Sequence, residues 1–436
     1  MHQIEPKKGI TKISISGFKS IATECSIEIR PLTILAGANS SGKSSIMQPL
    51  LLMKQTLESS TDYGALRLSG DNISFTSAQQ ILSYSPDGGQ TDSLTVAVEL
   101  ANSYKFKNTF KKPPKRMINL IETSYYDEND REIKATIGMP SIDIFESLPQ
   151  SVKTLYKPDN PSVFEDYTWG IYRHFCFNIF VNYKGEDSSP ISPLYNPSFI
   201  FTEEIPKVLH VRGLRSLERD LPVTGISQNF GGNFEKYVAS LIYSWQTVET
   251  DKFQVLNNYL HTLNLSKKIE ATEFNDTQIE LKVNRSLDSE DMVNIVDVGS
   301  GVSQVLPVLV ALVAAEPEQL VYLEEPEIHL HPRAQANLGE IIVDAANRGV
   351  RVVLETHSDL LLRRIQSLIA EDKISPDKAI LHWFSRDENG FTKVTTSDMD
   401  TTGAFGDFPE DFSEVDLEEE SRYIEAAESK LLRMAD

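Results

Sequence analysis

Leu32-Thr-Ile-Leu-Ala-Gly-Ala-Asn-Ser-Ser-Gly-Lys-Ser44 is an apolar run that opens directly into a glycine-bounded loop. Leu32 to Ala36 has the length and composition of a buried strand. Ile46, Met47, Leu50, Leu51 and Met53 then recur at helical spacing, so the stretch reads strand, loop, helix. Gly37 to Ser44 fits G-x-x-x-x-G-K-[ST] in the context that gives this pattern its meaning. The glycines Gly37 and Gly42 let the backbone wrap phosphates, and the N–H groups through Asn39, Ser40, Ser41 and on to Ser45 supply positive potential. Lys43 adds a charge at the β- and γ-phosphates, and Ser44 offers a hydroxyl to Mg²⁺. A chance match to the pattern is the competing reading, and the flanking strand and helix weigh against it.

The second informative stretch is Leu320-Val-Tyr-Leu-Glu-Glu-Pro-Glu-Ile-His-Leu-His-Pro332, a short apolar run ending in adjacent carboxylates. It reads as a buried central strand whose end emerges where open α/β sheets bind ligands; the plain alternative is an acidic surface turn. Arg351-Val-Val-Leu-Glu-Thr-His-Ser-Asp359 is another such strand, ending in a histidine. Charge assigns the roles: Glu324 holds Mg²⁺ through water, Glu325 orients or deprotonates the attacking water, and His357 reaches the γ-phosphate. His329 and His331 lie two apart on a proline-terminated turn without cysteine, which fits a subunit-facing loop better than a zinc site. Val296 to Pro307 carries Gly299-Ser300-Gly301 before an apolar helix through Leu312. Ser300 and Gly301 form either a second anion site at a helix N-terminus or an ordinary cap. As an anion site it is redundant within one chain, but in a dimer it can grip a nucleotide held by the other subunit.

Elsewhere, Thr11 to Gly17 and Cys25 to Ile29 read as strands, and short alternating runs from Gly64 to about Tyr104, such as Ser93 to Leu100, suggest an antiparallel sheet. The Phe75–Gln80 stretch, with Gln79 and Gln80, offers a candidate lid glutamine near Mg²⁺, although a plain loop glutamine is commoner. Residues 105 to 205 are the least readable. Their opening run, Lys105 to Arg116, interleaves basic and aromatic residues as a nucleic-acid or acidic-partner contact does, and as solvated loops more often do. Val208 to Arg215 is strand-like and ends in arginines, a helix spans roughly Phe234 to Trp245, and a strand pair surrounds Ile269 and Ile279 to Val283. No repeat and no long heptad array occurs.

With 436 residues, 40% apolar and 24% charged, the chain has the composition of a soluble globular protein of two or three folding units. No apolar run reaches the ~18 residues that span a bilayer, and no signal peptide is evident, which places the protein in the cytoplasm away from membranes. Cys25 and Cys176 are too few for a disulfide framework. A formal net charge of -21 excludes a protein that coats nucleic acid over its whole surface, while leaving room for a local basic patch.

Taken in order, these motifs resemble those of ABC-type ATPases of the broad AAA/SMC-like class, in the branch that includes overcoming-lysogenization-defect and prokaryotic defence ATPases. G-A-N-S-S-G-K-S is similar to the Walker A loop, G-S-G-V-S-Q-V-L-P to the signature segment, E-E-P-E-I-H-L-H-P to Walker B with the D-loop, and E-T-H-S to the switch histidine. The Gly403 to Phe412 run resembles the tail of a bacterial ATPase family with a C-terminal domain of unknown function. The resemblance covers residues 11 to about 60 and 205 to 412. It implies an α/β P-loop NTPase of ABC type, with a mixed central sheet, an antiparallel β subdomain and a large inserted region. It further implies ATP and Mg²⁺ as cofactors and an active site completed across a homodimer or higher homo-oligomer. By the same resemblance, Lys43 and Ser44 bind phosphate and Mg²⁺, Ser300 and Gly301 sense the partner's γ-phosphate, Glu324 supports Mg²⁺, Glu325 is the catalytic carboxylate and His357 the switch. The signature is not L-S-G-G-Q, which leaves Ser300 and Ser303 both open as the phosphate contact, and Glu324 stands where related ATPases often have Asp.

The expected organisation is residues 1–104 and 206–400 as two halves of an ATPase core, 105–205 as an inserted region and 401–436 as an acidic tail. Asp398-Met-Asp400 has the D-x-D of a Toprim nuclease with too little sequence after it for that fold, so no nuclease is expected here. The acidic Asp407 to Glu420 and a helix-like Ser421 to Leu432 read as a solvated face or a docking surface. The resemblance implies a defence ATPase that senses an invader and controls a separate effector protein. The alternative is a DNA repair or recombination ATPase whose DNA binding is gated by ATP.

Overall fold

The computed structural model describes residues 9–406, 421 and 422, apart from 62–63, 86–87, 128, 151–152, 154–163, 184–190, 216 and 226–228. The expectations for Asp407 to Glu420 and for a helix through Leu432 therefore lie outside the described residues.

A central six-stranded sheet positions the chemistry. Its order is β11 (Leu209–Val211), β16 (Leu320–Glu324), β17 (Arg351–Glu355), β3 (Leu32–Gly37), β18 (Ala379–Arg386) and β19 (Thr392–Asp398). All neighbours are parallel except β18 and β19. The strands β3, β16 and β17 are near-continuous apolar runs because both faces are covered, as in parallel sheets generally. Alternation assigns the faces: Ile34, Leu323 and Leu354 join one core, while Leu35, Tyr322, Val353 and Phe384 join the other.

The first face is covered by helices α4 (Val238–Thr247), α5 (Thr250–Thr262), α6 (Ser300–Ala314), α7 (Pro332–Asn347) and α8 (Asp359–Ala370). α6 brings Val305, Leu306, Leu309 and Leu312 to this core, which explains its nearly unbroken apolar sequence. The other core holds α1 (Lys43–Leu57) and a six-stranded antiparallel sheet. That sheet runs β2 (Cys25–Glu28), β1 (Ile10–Ser16), β4 (Ser93–Leu100), β5 (Lys105–Lys111), β6 (Asn119–Tyr126) and β7 (Glu132–Thr136). Smaller sheets are β10 (Ile191–Tyr195) with β9 (Cys176–Tyr183) and β8 (Phe164–Arg173), and β12 (Asp220–Pro222) with β14 (Gln278–Asn284), β13 (Ile269–Asn275) and β15 (Met292–Asn294). Short helices α2 (Ser141–Ser147) and α3 (Phe199–Glu204) complete the described elements that matter here.

The Lys105 to Arg116 run differs from its expected form as a solvated loop. Its first seven residues are β5, with Phe106, Asn108 and Phe110 buried and the lysines on the outer face. The alternation of side chains along a strand fits this run, and the lysines at most of its outward positions had obscured it. Because β4 pairs with β5, one sheet crosses residue 105, where the inserted region was expected to start.

The fold is thus an α/β P-loop NTPase of ABC-ATPase type, with a mixed central sheet and an antiparallel β subdomain. Among the described residues, no helix is long and apolar enough to cross a membrane.

Candidate functional site

The Gly37–Ser44 loop takes its shape from close packing against β18 and β19. Gly37 has φ +135°, and a Cβ there would lie 2.1 Å from the Phe384 carbonyl oxygen; Gly42 has φ +109°, and a Cβ would lie 2.2 Å from Thr392 Oγ1. No side chain fits at either position. Thr392 Oγ1 donates to the Ser41 carbonyl at 2.8 Å, and Arg386 Nε donates to the Ser40 carbonyl at 2.8 Å. Lys43 is buried and donates to the Gly37 and Ala38 carbonyls at 3.0 and 2.9 Å, curling the loop over its own ammonium. Burial lowers the Lys43 pKa, against the pull of Glu355 and Glu325.

Sheet register brings the carboxylates to the same edge. Glu324 lies opposite Glu355, and Glu355 opposite Leu35, two residues before the loop. The two acids then diverge. Ser44 Oγ donates to Glu355 Oε1 at 2.7 Å, and the buried Tyr322 hydroxyl donates to Glu355 Oε2 at 2.6 Å. Glu324 Oε1 instead lies 3.0 Å from His210 Nε2, and its Oε2 accepts the Gly213 N–H at 3.1 Å. The carboxylate beside Ser44 is therefore Glu355, where Glu324 was expected. Burial, with Glu324 nearby, raises the Glu355 pKa despite the Tyr322 and Ser44 hydrogen bonds. Burial works upward on Glu324 too, but His210 and the Gly213 N–H overcome it and hold the group below its ordinary value.

Glu325 and His357 face the loop. Glu325 Oε1 is 3.7 Å from His357 Nε2, both side chains being partly exposed. The Glu325 backbone is left-handed, φ 41°, with its N–H on the Glu355 carbonyl at 2.8 Å. Burial and the Lys43 charge lower the His357 pKa, Glu325 opposing, so a neutral imidazole prevails at neutral pH. Beneath them, buried Glu327 accepts from Thr356 Oγ1 at 2.5 Å and from the His357 N–H at 3.1 Å. It fixes the backbone that carries the histidine.

Asn39, Ser40, Gly42, Lys43, Ser44, Ser45, Glu325 and His357 all line one cavity of about 320 Å³, and Lys19, Gln48, Glu355 and Arg386 line it as well. The sequence reading had passed over these last four. Glu355 ends a buried strand, but only its register beside Glu324 and Leu35 places it here. Lys19, in the turn after β1, and Arg386, at the end of β18, are brought in only by the fold and had no signal in the sequence. Neither Gln79 nor Gln80 lines the cavity; Gln80 Oε1 accepts from Thr76 and Ser77 N–H groups in a capping box. Ser41 is buried beneath the loop.

Ser300 and Gly301 do not line this cavity. They begin α6, with Ser300 exposed and Ser303 Oγ turned back onto the Ser300 carbonyl at 3.1 Å. Gly301 packs under the His329 carbonyl, to which a Cβ would approach within 3.4 Å. His331 caps α7, its Nδ1 accepting the Arg333 N–H at 3.3 Å. Among the described residues, no group of three or more His, Cys, Asp or Glu could hold a metal ion. Mg²⁺ fits the oxygen donors Ser44 and Glu355, because this ion typically takes few protein ligands and completes its shell with phosphate and water. The Lys43 ammonium and the start of α1 at Gly42, Lys43 and Ser44 line the cavity and suit an anion above the loop.

Fold and site together define a nucleotide-binding core of the P-loop ATPase class. Residues 9–137 match the family model described as "AAA ATPase domain", and residues 223–363 match the one described as "AAA domain, putative AbiEii toxin, Type IV TA system". Each model covers about a third of the chain. No curated protein matches significantly. Similar solved structures include an Smc head bound to the C-winged helix domain of ScpA, at 13% identity and TM-score 0.49 over 90% of this chain and 98% of that one. The SMC head domain from Thermotoga maritima is similar at 10% identity and TM-score 0.39, over 90% and 100%. An Smc head domain with coiled coil and joint from Pyrococcus yayanosii is similar at 10% and 0.46, over 90% and 97%.

Proposed function

We propose that the protein is an ATP-hydrolysing dimeric switch. The observation that carries this reading is the convergence of Lys43, Ser44, Glu325 and His357 on one cavity, although they come from separate parts of the chain. Lys43 releases its two loop carbonyls to meet the β- and γ-phosphates. Ser44 and Glu355 would hold Mg²⁺, with Glu324 behind them; bound there, the ion would draw charge from the phosphate oxygens. Glu325 accepts a proton from the attacking water, and neutral His357 donates to the γ-phosphate. Ser300, exposed at the start of α6, and the half-buried Gly301 beside it contact the triphosphate held by a second copy.

The role we assign is the ATPase component of a prokaryotic antiviral defence system that senses an invader and controls a separate effector. Its support is the description of the family matched by residues 223–363. DNA binding through β5 has less support, since Lys107 and Lys111 face Glu24 and Asp92 at 3.8 and 2.9 Å. The test of the switch is Glu325→Gln. Light scattering with ATP and Mg²⁺ is expected to find a trapped dimer, and turnover is expected to fall by roughly 100-fold or more. Normal turnover by this variant would move the catalytic role elsewhere.

A further inference from the structure

Arg215 follows β11 and is 3% exposed, yet it takes part in none of the steps above. Its contacts lie on two sides. Toward α6, its N–H donates to Gln304 Oε1 at 3.2 Å, its Nε donates to the Gln304 carbonyl at 2.6 Å, and its own carbonyl accepts from Gln304 Nε2. Toward the acidic edge, Nη1 donates to the Glu324 carbonyl at 3.0 Å and Nη2 to the Glu325 carbonyl at 3.2 Å, while Nη1 also donates to the Arg212 carbonyl at 2.7 Å. One planar guanidinium therefore ties α6 to the end of β16 entirely through main-chain oxygens.

Gln304 stands four residues past Ser300, on the same face of the helix. The Glu325 carbonyl belongs to the left-handed residue whose carboxylate faces Lys43. A non-glycine residue at positive φ persists only where its surroundings enforce it, and the Arg215 fork is one of the restraints. Lysine cannot reproduce that fork, since its single ammonium lacks the planar donors that reach four carbonyls at once. Burial lowers the Arg215 pKa to about 10 against Glu235, Glu327, Glu324 and Glu325, so the clamp remains charged at neutral pH.

We propose that Arg215 is a positioning residue that couples the Ser300 turn to the backbone of Glu325, so that a partner's triphosphate at α6 sets the reach of the carboxylate in this chain's own cavity. This rests on the dimer reading, in which that turn contacts the partner's nucleotide. Each site of the dimer then responds to occupancy of the other, and loss of the clamp lowers turnover without loosening ATP.

The test uses the full chain with Arg215→Lys and, as a milder variant, Gln304→Ala, which removes the amide and leaves the guanidinium fork. In Arg215→Lys, ATP affinity by calorimetry and the ATP-driven dimer, measured in a Glu325→Gln background, are expected to stay at wild-type levels. Turnover is expected to fall ~10- to 100-fold at unchanged KM, the scale set by misplacing a reacting group by about an ångström. Gln304→Ala is expected to show the same pattern in reduced form. Wild-type turnover in Arg215→Lys overturns the coupling; so does a loss of turnover matched by equal losses of ATP affinity and dimer, which marks a folding role. If the wild-type chain and Glu325→Gln alone both stay monomeric with ATP, the dimer reading fails, and the coupling with it.

Discussion

α1 and α6 both follow a glycine and carry a serine in their first two residues, yet their surroundings differ. The start of α1 lies in a finished cradle, with a lysine folded over the loop, a carboxylate on Ser44, and Arg386 and Thr392 bracing the backbone. The start of α6 is open: Ser300 is exposed, and Ser303 turns back onto its own helix. A helix N-terminus attracts anions in either case. Selective, tight binding needs the added charge and enclosure that only the first possesses, so the second requires another surface before it can hold a phosphate. That contrast is what makes a two-copy machine sensible.

The contrast breaks most directly through Lys43→Ala and Ser300→Arg. Removing a buried ammonium that serves the phosphates is expected to weaken ATP binding by roughly 100-fold, about 3 kcal/mol. Ser300→Arg is expected to leave the affinity of a single chain unchanged and to abolish the ATP-driven dimer. Calorimetry on dilute protein paired with light scattering reads both; weakened ATP binding by monomeric Ser300→Arg would make α6 part of the same pocket.

The two acids on neighbouring strands sharpen the loop side. Glu355→Gln is expected to weaken Mn²⁺ binding in the presence of ATP by ~10-fold, the order seen when a metal site loses a supporting carboxylate, and Glu324→Gln to weaken it less. Paramagnetic resonance of free Mn²⁺ gives the affinity without turnover. The reverse ranking would return the metal to Glu324.

The pH profile is a subtler measure. His357 titrates below its ordinary 6.5, for burial and Lys43 both oppose its charged form. Turnover that needs the neutral ring is therefore flat at neutral pH and falls only below 6.5, and His357→Gln is expected to lose that acid limb. An unchanged limb in the variant would assign it to another group.

Much of this site was legible in the chain because its signals are local. Gly37 to Ser44 carries strand, loop and helix in one contiguous piece, and the apolar runs before Glu324 and His357 follow from a parallel sheet covered on both faces. Two residues and one strand escaped for physical reasons. Glu355 needed the cross-strand register with Glu324 and Leu35, which no single stretch contains. Arg215 acts through carbonyl oxygens some 90 to 110 positions away, and backbone oxygens leave no trace in residue type. Lys105 to Lys111 concealed a strand because its outward positions are mostly basic, so composition outweighed alternation. Recognition of other molecules depends on whole surfaces, where no comparable local rule applies.

The smallest expected effect tests whether the loop side has been built at a cost to the fold. Glu327 is buried; its Oε1 accepts from Thr356 and His357, while Oε2 has no partner within the protein. Burial outweighs those hydrogen bonds and raises its pKa above the ordinary 4.5. For an acid whose folded pKa is raised, the favourable contribution is fully present below 4.5, where both states are protonated, and is lost as pH rises through the folded value. Gln keeps an oxygen for Thr356 and the His357 N–H but never ionises. The stability of Glu327→Gln relative to wild type is therefore expected to grow as pH rises from 4.5, as read by denaturant unfolding at several pH values. A difference that is flat or shrinks with pH would mean that the charged carboxylate stabilises the turn. In that case the unpartnered oxygen is satisfied by its surroundings, and the geometry of His357 is obtained without loss.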